Sequence, residues 1–167
     1  MSNRTMIKRR YIFPVCLLIL IMGSCKLPNV RWQYQVECNG LGAEGVQSLK
    51  VKTRANKKSK LWASAQKDAI HSALFRGAPI GERGCPKMAM INISGQNESI
   101  HKNFFGTFFS DGGDYKTFIA SQPVLISPVI NISKGVYEAE YIVGVRYNAL
   151  KEYLKQNKII YSIQDGF

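Results

Sequence analysis

The chain has 167 residues, 46% of them hydrophobic and 20% charged, and its 23 Lys and Arg against 11 Asp and Glu give a formal charge of +12. That length suits one domain once a leader is removed, able to bury roughly two thirds of its unfolded surface. Two scattered His and few thiols argue against a zinc cluster, and the basic balance favours anionic partners.

Residues 1–24 read as an export signal. Arg4, Lys8, Arg9 and Arg10 form a positive head, residues 11–22 are apolar apart from Pro14, and Gly23, Ser24 and Cys25 follow. A core of about 12 residues spans roughly 18 Å as a helix. A bilayer core of roughly 30 Å needs about 20 residues, so a cleaved segment is favoured over a permanent span. The ending Met22-Gly23-Ser24-Cys25 resembles a bacterial lipobox, with Met22 where Leu is more usual. In that pattern the cysteine takes diacylglycerol and becomes the first mature residue, so Cys25 is read as the lipidation site. The alternative is an ordinary signal cut near Ser24, leaving Cys25 a plain thiol. Two or three acyl chains such as palmitate hold a protein stably at a membrane, whereas one does so marginally. Removing 24 residues from 167 leaves 143, and losing four basic residues lowers the charge from +12 to about +8.

Residues 25–33 read as a short tether. Residues 33–38, QYQVEC, alternate like a strand. Residues 40–45, GLGAEG, match G-x-G-x-x-G, but that dinucleotide fingerprint must open a helix. Residues 46–53, VQSLKVKT, instead place Leu49, Val51 and Thr53 on one strand face and Lys50 and Lys52 on the other. A nucleotide site is therefore rejected, and the glycines are read as shaping a hairpin or a bulged connection.

Lys50, Lys52, Arg54, Lys57, Lys58 and Lys60 form a basic run without an acid. The favoured reading is a solvated strand face entering a polar loop; the sharper one is contact with an anionic surface. Little aromatic interleaving speaks against single-stranded nucleic acid. Residues 61–76 predict a helix, with Trp62, Ala65, Ala69, Ile70, Ala73 and Leu74 inward and Ser64, Lys67, Asp68, His71 and Ser72 outward. His71 is accordingly expected at the surface. Gly77 and Pro79 stop the helix.

Residues 77–87 read as a loop and 88–93, MAMINI, as a strand with core methionines. Ile100, Phe104, Phe105 and Phe108 are spaced for a second helix, extended by Phe109, and its aromatics are read as core. Residues 115–120 are ambiguous between a helical turn and a strand. Residues 124–132 predict an edge or broken strand because of Pro128, and 136–146 a long central strand. Asn148 is expected to cap a closing helix carrying Ala149, Leu150, Tyr153 and Leu154 on its apolar side. Three glycosylation sequons, at Asn92, Asn97 and Asn131, carry little weight in a bacterial lipoprotein.

For Cys38 and Cys85 two separate thiols are favoured, with a bridge as the alternative in a disulfide-permissive compartment. Cys85 with His71 or His101 is the one candidate nucleophile–base set, and no motif brings them together. No catalytic residue, metal or cofactor is assigned.

The lipidation signal, YQVECNGLGAEG, the helix ending LFRG, the Gly-Cys loop, FFGTFFSDGG and YNALKEYL together resemble a family of small envelope lipoproteins of Bacteroidetes-type bacteria. The likeness covers most of residues 25–167. It implies an address and a compact fold, and it carries no catalytic residues. The order strand, strand, helix, strand, helix, strand, strand, helix predicts one α+β domain over 34–167. Its sheet is mainly antiparallel, with two to three helices packed on one face. The expected function is non-enzymatic, a structural or assembly role at the membrane through the lipid anchor and other envelope proteins. The alternative is a binding module for an anionic envelope ligand such as lipopolysaccharide, cell-wall glycan or acidic lipid. Nucleic acid is not an expected partner of an exported protein. The absence of acids just after Cys25, where Lys26-Leu27-Pro28 stands, points toward retention facing the periplasm, and the outer membrane is the expected place.

Overall fold

The computed structural model describes residues 31–81, 85–91 and 101–160. The export signal and Cys25 lie outside the described residues, as do the sequons at Asn92 and Asn97. Among the described residues five strands and three α-helices make an α+β fold. They are β1 Gln35–Leu41, β2 Val46–Ala55, α1 Leu61–Phe75, α2 Lys102–Phe108, β3 Val124–Leu125, β4 Ile130–Ser133, β5 Val136–Arg146 and α3 Tyr147–Gln156.

The sheet is antiparallel in every pairing, in the order β1-β2-β5-β3, with β4 also on β5. β2 matches β5 along its whole length, from Val46 opposite Arg146 to Ala55 opposite Tyr137. β3 and β4 must therefore share the other edge of β5, which makes β5 central, as its apolar run predicts. The break between them falls at Ser127-Pro128. Pro128 has no N–H for a ladder, and the Ser127 hydroxyl accepts instead from the Glu140 N–H at 2.8 Å.

Period-two burial in β2 sets the two faces of the sheet. Leu49, Val51, Thr53 and Ala55 are buried opposite Val143, Tyr141, Ala139 and Tyr137, and α1 packs on β2 and β5. Fully burying each Leu, Ile or Val there contributes about 1.5–3 kcal/mol. The Gly40–Gly45 stretch forms a bulged connection between β1 and β2, and a strand rather than a helix follows it.

Helix α1 ends where Gly77 turns to φ +73°, with the Arg76 and Gly77 N–H groups donating to the Ser72 carbonyl. The expected strand at 88–93 is not found over its described part. The Met90 and Ile91 N–H groups donate to the Ala73 and Leu74 carbonyls at 3.0 and 2.9 Å. Those last carbonyls of a helix lack intrahelical donors, and meeting that need outweighs strand propensity. Asn148 is likewise not a cap: it lies within α3, whose first turn follows Arg146 without a side-chain cap, and its amide sits over Gly45. The ambiguous segment is a 3-10 turn, Asp114–Phe118. The phenylalanines are core as expected, with Phe105, Phe108 and Phe109 buried and Phe104 partly so.

Candidate functional site

Helix α1 is covered on more than its sheet side, and this is the main departure from the expected pattern. Asp68, His71 and Ser72, placed outward by the sequence, are all buried, whereas Trp62, placed inward, is 47% exposed. The end of the supposed tether supplies part of the cover. Trp32 stacks on His71 with centroids 3.8 Å apart and meets the edge of Phe109 at 5.1 Å. The Tyr34 hydroxyl and His71 Nδ1 are hydrogen-bonded at 2.6 Å, and the Arg76 guanidinium lies 4.4 Å from the Tyr34 ring centre. Residues 31–34 thus belong to the packed domain. His71 is a core histidine: burial, then the charges of Arg76 and Arg31, push its pKa down to about 3, so the ring is neutral.

Beside this stack a cleft of about 540 Å³ opens between the Trp32 segment, the end of β2, α1 and α2. Asp68 forms its floor, 5% exposed and accepting from the Thr53 hydroxyl at 2.5 Å. Burial drives the Asp68 carboxyl up to about 7, against the lowering effects of the Thr53 hydrogen bond and the Arg76 charge. The lining also carries Lys60, Lys67 and Arg54, with Ser64 and Ser110 as hydroxyls. At its mouth Asp111, with a side chain 84% exposed, draws in Lys67 at 3.0 Å and Lys60 at 4.0 Å. The Lys116 ammonium donates to the Asp111 backbone carbonyl. The hydrogen bond and charge of Lys67, then the charge of Lys60, hold the Asp111 carboxyl below its usual range.

The six-residue basic run does not act as one surface. On the sheet face away from α1, Lys50 lies 3.6 Å from Glu37 and 3.5 Å from Glu140, and Lys52 lies 3.2 Å from Glu138. Arg54 donates to Glu138 at 2.7 Å. Burial alone would raise the Glu138 pKa, but hydrogen bonds from Arg54 and Lys52 outweigh it and hold the carboxyl low. Three of the run's cations are thus matched by acids from neighbouring strands, which a linear sequence does not display. Lys57, Lys58 and Lys60 remain, in the turn leading to α1, with Lys58 over the Tyr137 ring at 5.5 Å.

Cys38 and Cys85 form a disulfide with Cα atoms 5.8 Å apart, so the separate-thiol reading gives way to the bridge. Their meeting is prepared by the backbone: the Cys38 N–H donates to the Ile80 carbonyl at 2.8 Å, and Gly81 bridges Cys38. With Cys85 bonded and His71 stacked in the core, the candidate Cys–His pair is not assembled. Among the described residues no group of three or more His, Cys, Asp or Glu is placed to hold a metal ion.

A second surface lies at the sheet edge. Val124, Leu125, Ile126, Ile130 and Ile132 are 58, 48, 46, 47 and 40% exposed. Among the described residues β3 and β4 pair only with β5. Five large apolar side chains within nine residues of one edge form an exposed apolar strip. Comparison with protein-family models, curated proteins and solved structures finds no match, so these two surfaces are read from their own chemistry.

Proposed function

We propose that this chain is a lipid-anchored cell-envelope protein with a non-enzymatic structural or assembly role in a membrane-associated complex. Its place would be the outer membrane, facing the periplasm. The observation that carries the assembly role is the exposed apolar edge Val124–Leu125 and Ile130–Ser133 on a central β5. An edge of that kind binds by strand addition, with main-chain hydrogen bonds for affinity and apolar side chains for fit. The signal ending at Cys25 supports the address, and a disulfide suits an oxidising compartment. The charge-matched sheet face makes the basic strand a poor anion-binding surface, which favours assembly over the anionic-ligand alternative at that place.

The test is affinity capture of the full chain from membranes beside its Ile126→Lys and Ile130→Lys variants. A complex retained by the native chain and lost by both variants supports the role. A monomer returned alone in every case overturns it. Acylated protein persisting in the membrane fraction after Cys25→Ala would separately remove the anchor.

A further inference from the structure

The cleft beside α1 is independent of the sheet edge, and its chemistry is different. Its mouth gathers three lysines around one acid: Lys67 and Lys60 reach the Asp111 carboxylate, and Lys116 holds the Asp111 carbonyl. That acid is 84% exposed at its side chain, so it is a weak and easily displaced partner. Lys60, Lys67, Ser64 and Ser110 all line the cleft. Two ammonium groups and two hydroxyls can approach an anion from several directions. A carboxylate offers two oxygens in a plane, whereas a phosphate monoester offers three acceptor oxygens and close to two charges. The volume of about 540 Å³ lies within the ~300–1,000 Å³ of small-molecule sites. Asp68, the acid at the floor, is tied to Thr53 and is largely neutral well below pH 7, so it repels an anion little there.

We propose that this cleft is a binding site for a phosphate monoester, with the Asp111 carboxylate occupying its lysines when the ligand is absent. The site does not rest on the assembly role, and neither proposal falls with the other. Trp32 lines the cleft and supplies the probe. In a Trp62→Phe background, which removes an exposed indole, emission reports Trp32. The full chain in detergent is titrated with inorganic phosphate at constant ionic strength, with chloride as the control.

A saturable change with phosphate and none with chloride is expected. Asp111→Asn should lower the midpoint several-fold by freeing the lysines. Lys60→Gln with Lys67→Gln should raise it about tenfold. Asp111 and Lys60 are exposed and Lys67 is partly buried, so thermal melts of each variant are run beside the titrations to separate lost binding from lost folding. Emission that follows ionic strength alone, or a midpoint unmoved by both sets of substitutions, overturns the site. Short-chain phosphatidic acid against glycerol phosphate then distinguishes the source. Tighter binding of the lipid identifies a headgroup, and equal or tighter binding of glycerol phosphate identifies a soluble ester. Either result supports the site, and failure of both esters to compete with inorganic phosphate refutes a monoester ligand.

Discussion

Asp68→Asn and His71→Phe should tilt the pH profile of stability in opposite directions. Asp68 is 5% exposed and its carboxyl is raised from 3.8 to about 7. A raised carboxyl keeps its proton in the fold longer than in the unfolded chain. Its contribution is complete below pH 3.8 and is lost as pH climbs to about 7. Three pH units correspond to roughly 4 kcal/mol. His71 is 4% exposed and is lowered from 6.5 to about 3. Its neutral ring contributes fully above pH 6.5, and that contribution is lost as pH falls to about 3 because the unfolded ring gains a proton first. That loss is also roughly 4–5 kcal/mol.

Between pH 3.8 and 6.5 the two slopes are opposite and nearly equal. They cancel in the native chain. In Asp68→Asn only the histidine remains of the two, so stability should rise by a few kcal/mol from about pH 4 to 6.5. In His71→Phe the aspartate remains, and stability should fall by a similar amount across that window. Urea unfolding at half-unit pH steps gives the three curves, and subtracting the native curve removes groups common to all, such as Glu138. Losing the Tyr34 hydrogen bond in His71→Phe displaces its curve without changing its slope. Three parallel curves would refute the assignment of buried, oppositely shifted groups.

Cys38→Ser or Cys85→Ser opens a loop closed across 47 residues, which by loop-closure entropy costs about 4 kcal/mol. A urea midpoint unchanged from that of the oxidised chain would contradict the bridge, and non-reducing peptide mapping reads it directly. Gly81→Ala should destabilise by about 2 kcal/mol or more, because φ there is +117° and a Cβ would meet the Cys38 backbone; the thermal midpoint checks it. Glu138→Gln leaves Lys52 and Arg54 without their shared carboxylate, and because both cations are about 40% exposed and screened by solvent it should cost about 1 kcal/mol. Restoration of that stability by a further change of Arg54 to Leu would assign the cost to the uncompensated charge.

Apart from residues 88–91, where the expected strand is absent, the strands were legible because one face of the sheet is buried at a time. Val46–Ala55 alternates cleanly, and the long apolar run at Val136–Arg146 marks a strand with neighbours on both sides. The Pro128 break was legible too, since a missing N–H has the same consequence in any fold. Helix α1 was legible as a helix and illegible as a surface. A single stripe assumes one covered face, but α1 meets the sheet on one side and the Trp32 segment on another, so Asp68 and His71 are buried despite being polar. Their spacing of three residues, with small Ala and Ser between and around them, is compatible with close packing on both sides.

Charge partners were hidden for a related reason. Lys50, Lys52 and Arg54 look like an unopposed run because their acids, Glu37, Glu138 and Glu140, arrive from other strands. Sheet register therefore decides which cations are spent inside the fold and which face outward. Lys60 and Lys67 lie beyond β2, on the turn and on α1, and the exposed Asp111 meets them from the far end of the phenylalanine cluster. A partner so exposed adds little to stability. Lys60 and Lys67 are accordingly more readily given over to a ligand than the cations of the strand, which are held by acids that the fold itself places opposite them.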